Sequence, residues 1–422
     1  SRGVLMTGLH TGHCPIRNNS PWASAKNPSG EGQEPLPADT PNMARWFQAS
    51  GYATGCMGKW GLGGPGTAGA PNLQGFDLFY GYLCQKQAHD YYPEHLWRND
   101  EPVVLRNPGF TPSARWKEAP AEAAAYAAFE GEDYAPDLML EAALTFVDEH
   151  TEAPFFLYYP TTVPHVALQV PEDSRSGYSD KGWDEAPYLG AKGYLPNATP
   201  RATYAAMITR MDRDVGRLLE RLAEHGLEND TIVIFTSDNG PASNGGSDPR
   251  FFDSARGPIG ALAKEGGTLR GLKGSMHEGG IRIPLIVTWP GHIMGGEVSE
   301  RPVGFQDIWP TLAELRGMEL PEAIDGVSFA PTLVEEGEAA APGQLYWESG
   351  RNQALRVGDL KLVRKVNSGG KLKAELFDLS TDPWELENLA AERPEDLARM
   401  VKLIRAARTP SKIFPTPYDA GL

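Results

Sequence analysis

The run "TIVIFTS" at 231–237 constrains this chain more than any other stretch. It is unbroken, apolar and β-branched, the pattern of a strand covered on both faces. Before it, Met207, Ile208, Met211, Val215, Leu218 and Leu222 fall at helix spacing, and Gly226 supplies the stop. The alternation repeats along the chain. Thr40-Pro41 reads as a helix start, with Thr40 as N-cap and Pro41 at the first position, and Gly51 closes that helix. A helix is expected over 134–150, a short buried strand at "PFFLYYP", and a further strand at "IRIPLIVTWPG", 281–291. Strands alternating with helices predict an α/β fold, a largely parallel central sheet flanked by helices.

The pattern changes after about residue 320. "QLYWESG", "NQALRVGDLKLVRK" and "KAELFDL" are closely spaced strand-like runs, with Gly358-Asp359 as a hairpin turn and a helix over 394–408. The chain is therefore expected to divide into an α/β domain, 1–320, and a smaller antiparallel β subdomain with a terminal helix, 321–422. Two stretches rich in Gly, Pro and Ser, 160–200 and 240–270, are long enough to be site-forming loops.

Composition narrows the function classes. A net charge of −16 argues against nucleic acid, whose phosphates need a basic surface. No run of 18 apolar residues is present, so no membrane span is encoded. The three cysteines, Cys14, Cys56 and Cys84, cannot all pair and fit no zinc spacing. An acidic chain can still bind a small anion where a few cations converge.

Several short motifs could carry chemistry. Asp238 and Asn239 follow the 231–237 strand directly, where ligands bind in open α/β sheets, and both offer hard oxygens suited to calcium or magnesium. Asp-Asn-Gly is also ordinary turn chemistry. Lys273 in "LRGLKGSMHEGGIR" and Lys59 in "GCMGKWGLGG" sit among glycines that would let an anion approach, although each could be a solvated lysine. His165, in "TTVPHVALQVP", is either an ordinary polar loop residue at the surface or a proton-exchanging group.

In order and wording these segments resemble the sulfatase family, the formylglycine-dependent sulfuric ester hydrolases of the alkaline phosphatase superfamily. The resemblance spans nearly the whole chain: "SRGVLMTG", "GKWGLG", "PHVALQVP", "TSDNG", "LKGSMHEGGIR" and "ELFDLSTDPWELENLA". It implies an alkaline-phosphatase-like fold and hydrolysis of a sulfated carbohydrate or an aryl sulfate. It implies Asp238 and Asn239 as ligands of a metal, usually Ca2+ with Mg2+ as the other candidate, and Lys59 and Lys273 as the lysines that hold sulfate oxygens. His165 corresponds to the histidine that protonates the leaving alcohol, and Arg2 to the arginine that steadies the nucleophile and the metal carboxylates. The family signature, Cys-x-Pro-Ser-Arg then an apolar stretch and Thr-Gly, matches from its fourth position, Ser1 to Gly8. That puts the residue converted to formylglycine, and the family's first strand with its metal-binding aspartates, before Ser1. On this expectation the chain alone has no turnover, and its partners are a sulfate ester and a formylglycine-generating enzyme. The resemblance further suggests export, to the periplasm or beyond.

Cys14-Pro15-Ile16-Arg17 is one residue short of the signature spacing and lies past Thr7-Gly8, so Cys14 is not expected to be the nucleophile. The family often has a histidine where this chain has Gly61, in Lys59-Trp60-Gly61, which leaves His10, His89 and His277 as candidates for its place. A phosphatase or phosphodiesterase of the same superfamily and a non-catalytic carbohydrate-binding relative are the alternatives.

Overall fold

Strand β1 (Ala53–Lys59) runs through the middle of the main sheet, with its side chains buried from Thr54 onward. It pairs in parallel with β2 (Leu78–Tyr82) on one side and, on the other, with β5 (Phe155–Tyr158), the "PFFLYYP" strand. A hairpin of β3 (His95–Arg98) and β4 (Glu101–Val104) extends the β2 edge antiparallel, giving the order β4-β3-β2-β1-β5. The computed structural model describes residues 1–422 except 23–29, 110–112, 121, 184, 192, 244–245, 247–268, 322–323, 335–342 and 420–422. Most of the 240–270 loop therefore lies outside the described residues.

Successive β1 side chains point to opposite faces, and each face has its own core. Cys56 packs with Met6 of helix α1 (Arg2–Thr7), Phe47 of α2 (Met43–Ala49), and with Trp60, Phe76 and Trp309. Met57 packs with Tyr82 and with Met139 and Phe146 of α3 (Ala135–Glu149), all but fully buried. Truncating Phe146 to Ala would cost about 3–5 kcal/mol.

Helix α2 begins two residues later than its Thr-Pro signal suggests. Asn42 is the N-cap, accepting the Arg45 N–H at 3.1 Å, and Thr40-Pro41 only leads into it. Helix α4 (Pro200–Glu224) follows the expected period, but its buried face also carries Arg210 and Asp214, while Ile208 is about one-third exposed. Arg210 is placed inside by Asp137 and Asp173, to which it donates at 2.8 and 2.7 Å, so charge pairing overrides hydropathy there.

The "TIVIFTS" run differs most from expectation. Its strand, β6 (Val233–Thr236), is half-buried along its length rather than covered on both faces. Among the described residues it pairs only with β7 (Leu285–Thr288), and antiparallel, after a short helix α5 (Glu278–Ile281). Thr236 and all of β7 border a cleft of about 1820 Å3, which accounts for their exposure. Helix α6 (Ile308–Arg316) then returns to the α1 side.

The C-terminal sheet is antiparallel throughout, in the order β11-β10-β9-β8: β8 (Leu345–Ser349), β9 (Asn352–Val357), β10 (Leu360–Val366) and β11 (Leu372–Asp378). Gly358, at φ 58°, and Asp359 make the two-residue turn between β9 and β10. Helix α7 (Pro394–Ala406) buries Met400 and Ile404 against Leu355, Leu362 and Leu376.

Candidate active site

The turn after β6 brings two oxygen donors side by side. The Ser237 hydroxyl donates to the Asn239 carbonyl at 2.9 Å, and the Asn239 amide donates to the Gly240 carbonyl at 2.9 Å. Oδ1 is then the side-chain acceptor of Asn239, next to the Asp238 carboxylate. Both residues border the cleft. Gly240 lies so close to α5 that a Cβ there would fall 2.1 Å from the Gly279 carbonyl oxygen. The motif is thus a tight turn and a pair of hard oxygens at once.

The start of α1 closes on this turn. The Ser1 hydroxyl donates to the Asp238 carbonyl at 2.5 Å, and Arg2 Nη1 stands 3.7 Å from Asp238 Oδ2. Arg2 Nε is buried and has no hydrogen-bond partner among the described residues, so this donor is left for a further acceptor. The guanidinium also explains Gly61. That residue has φ 68°, and a Cβ on it would lie 2.8 Å from Arg2 Nη2 and 3.0 Å from Gln85 Nε2. The space a side chain would need is taken by Arg2.

Lys59 ends β1 and is buried; Lys273 lies in the loop before α5, where its N–H donates to the Pro241 carbonyl at 2.8 Å. Burial, then Arg2 and Lys273, push the Lys59 pKa down to about 7 against the pull of Asp238. Lys273 is exposed at the cleft, yet partial desolvation by the surrounding protein lowers its pKa too, with Asp238 opposing and Arg2 adding. The Asp238 side chain is half exposed; partial desolvation opposes its ionisation, but Arg2, Lys59 and Lys273 together hold it below the usual carboxylate range. Three cations around one carboxylate leave an excess of positive charge that an anion would neutralise.

His165 is within reach of the same field. Burial, Lys59 and Lys273 push its pKa down to about 2, so the ring is neutral at neutral pH. Its Nδ1 is 2.5 Å from the Val166 carbonyl oxygen, which can only accept. Nδ1 therefore carries the hydrogen and Nε2 is the atom that can exchange a proton.

Of the three candidate histidines, His10, His89 and His277, only His89 joins this group. Its ring is stacked on that of His165, and Lys59 and Lys273 again act on it, after burial, to lower its pKa to about 4. Tyr194 meets both rings edge-on, at 5.2 and 6.1 Å between centroids. His277 faces Glu375 of β11. His10, His13 and Asp325 bring three potential metal-ligating atoms within 4.8 Å of one another. However, His10 Nδ1 accepts the Gly12 N–H at 3.1 Å, which keeps the proton on Nε2, and His13 donates to Asp325 at 2.8 Å. That group is a hydrogen-bonded clasp. Cys14 is fully buried, and burial raises its thiol pKa, so it is a core residue and not an exposed nucleophile.

The donor chemistry fits part of a hard-cation site. Asp238 is ionised and adjacent to an amide oxygen, although two residues supply only part of the about six to eight oxygens that calcium takes.

A family model described as Sulfatase matches residues 1–318. The chain belongs to the sulfatase family. A second model, described as N-sulphoglucosamine sulphohydrolase, C-terminal, matches residues 272–406 of this sulfatase. It is similar to arylsulfatase A of Bos taurus, 29% identical and covering 100% of this chain and 79% of the relative. It is also similar to an N-acetylgalactosamine-6-O-sulfatase of Bacteroides thetaiotaomicron, 27% identical over 97% of this chain and 83% of the relative. The crystal structure of Ps i-CgsB has the same fold, with a TM-score of 0.71 at 24% identity over 96% of this chain and 80% of that one. This sulfatase is a sulfuric ester hydrolase, of a family that in general uses a metal and a formylglycine. No helix among its described residues is long and apolar enough to cross a membrane.

Proposed function

We propose that this sulfatase hydrolyses the sulfate ester of a carbohydrate or an aryl alcohol at the site formed by Arg2, Lys59, His165, Asp238, Asn239 and Lys273. The observation that carries this is the excess positive charge of Arg2, Lys59 and Lys273 around Asp238, within reach of a neutral histidine whose Nε2 can exchange a proton.

Sulfuryl transfer spreads negative charge over the equatorial oxygens, and fixed cations stabilise it. Lys59 and Lys273 bind those oxygens and orient the sulfate. Asp238 and Asn239 hold part of the shell of a divalent cation, calcium by the family likeness, with Arg2 keeping the Asp238 carboxylate ionised. When present, the cation supplies Lewis acidity and the formylglycine supplies the nucleophile. Burial and the two lysines keep His165 neutral; a sulfate anion between the lysines offsets their part of this and favours the protonated ring, whose Nε2 can pass a proton to the leaving alcohol. The division near residue 320, a formylglycine-generating partner and export to the periplasm or beyond belong to the same proposal and rest on sequence pattern and family likeness.

The test is turnover of 4-nitrophenyl sulfate against 4-nitrophenyl phosphate. It uses the full-length protein, matured by a formylglycine-generating enzyme and supplied with calcium. Hydrolysis of the sulfate ester in preference, lost in Lys273→Ala, is expected; preference for the phosphate ester would redirect the assignment to phosphoryl transfer.

A further inference from the structure

The loop that carries Lys273 is built into the C-terminal sheet. Lys361 of β10 is completely buried, and its ammonium meets Glu278 Oε1 at 2.7 Å and Glu385 Oε1 at 2.8 Å. Glu385 is also fully buried, and its Oε2 accepts the Glu278 N–H at 2.6 Å. Glu278 opens α5, a few residues beyond Lys273. On the other side of Lys273, Arg270 donates to the Glu385 carbonyl at 2.8 Å and to Glu375 of β11 at 3.2 Å. The loop is thus anchored to the sheet at both ends, with Lys273 between.

The same loop holds the Asp238 turn. Lys273 donates its N–H to Pro241, Gly240 donates to the Gly280 carbonyl at 3.0 Å, and Gly279 donates to the Arg270 carbonyl at 2.7 Å. A continuous chain of contacts therefore runs from Lys361 through Glu278 and α5 to Asp238, Asn239 and Lys273. The family model for the C-terminal region takes in this loop and the sheet together, 272–406. A lysine buried between two carboxylates is costly to desolvate, and loss of one partner leaves the others uncompensated. Lys361 therefore holds the two glutamates, and with them the loop, in one arrangement.

We propose that Lys361 is a positioning residue for sulfate: through Glu278 and Glu385 it sets the loop that places Lys273 and the Asp238–Asn239 turn, making the C-terminal sheet part of the anion site. This rests on the assignment of Lys273 as a sulfate ligand. The test titrates inorganic sulfate, with calcium present, into the wild-type chain, Lys361→Met, Lys273→Ala and the double variant. Amide hydrogen exchange is followed alongside. Lys361→Met is expected to weaken sulfate binding about tenfold, the loss of one charge-assisted contact, and to add less than twofold to Lys273→Ala. Exchange should quicken in 238–241 and 270–282 while β1 amides keep their rates, which a general loss of stability would not produce. If Lys361→Met does not fold, Arg270→Ala, at the accessible end of the same anchor, replaces it with the same expectations. Unchanged sulfate affinity and exchange in the folded variant, or a loss that adds fully to that of Lys273→Ala, would overturn the proposal. Sulfate affinity unchanged by Lys273→Ala would instead refute the assignment of Lys273 beneath it.

Discussion

The imidazoles of His89 and His165 lie face to face, their centroids 4.9 Å apart and their planes within 2° of parallel. The loops that carry them are stitched together: Ala167 donates its N–H to the His89 carbonyl at 3.1 Å, and the Tyr91 hydroxyl lies 2.7 Å from the His165 carbonyl. His89 thus walls the ring whose Nε2 is proposed to handle the proton.

His89→Ala in the matured enzyme should lower kcat for an alkyl sulfate by about 3–10-fold, the worth of an aromatic stack. His89→Phe, which keeps a flat face without a titratable nitrogen, should recover most of it. The assay is kcat on an alkyl sulfate. If Phe is as damaging as Ala, the ring nitrogens and not the face are what matters.

Lys59 has a pKa of about 7 in the anion-free site, lowered chiefly by burial. It is charged below that pH and neutral above it, while a bound dianion favours the charged form. Sulfate affinity should therefore be greatest below about pH 7 and fall as the pH rises, by up to about tenfold per unit, one proton being taken up on binding. Calorimetric titrations across pH 6–9 check this, and Lys59→Met should remove the slope. A slope that persists in that variant would assign the proton elsewhere.

At Gly61, where the family resemblance leads to an expected histidine, Arg2 fills the space beside the backbone. Gly61→Ala should cost about 1 kcal/mol for a left-handed backbone. The atoms it would meet end flexible side chains, so its larger effect should be to move Arg2 and weaken sulfate binding. Gly61→His should impair the site more, not improve it. Thermal melts together with sulfate titration separate the two effects, and a neutral Gly61→His would show that Arg2 is not placed by this gap.

Much of this architecture is legible in the sequence because local rules and tertiary packing agree. The helix over 134–150, the strand at "PFFLYYP" and the glycine turn before β10 all fold as they read, whereas β1, with two glycines and a lysine in "ATGCMGK", carries no strand signal. The β3–β4 hairpin was not anticipated, since "HLWRNDEPVV" is polar, contains Pro102 and has no clear alternation. An apolar run shows that β6 is a strand but not how many of its faces are covered. Of the site, the segments that meet at the strand ends could be named, yet nothing in the sequence ranked His89 above His10 or His277, because stacking has no periodic signature. Lys361 was hidden for the same reason: in "LKLVRKV" it reads as one more polar strand residue, while its two carboxylates come from distant loops.

The most direct measurement is the affinity of this chain for inorganic sulfate, by calorimetry at pH 6.5 with calcium present, in the wild type, Lys59→Ala, Lys273→Ala and the exposed-surface control Lys402→Ala. One saturable site is predicted. Each site variant should weaken it by about 10–100-fold, as loss of a charge-assisted hydrogen bond implies, and Lys402→Ala should leave it unchanged. Equal affinity in all four proteins would contradict a sulfate site at Lys59 and Lys273.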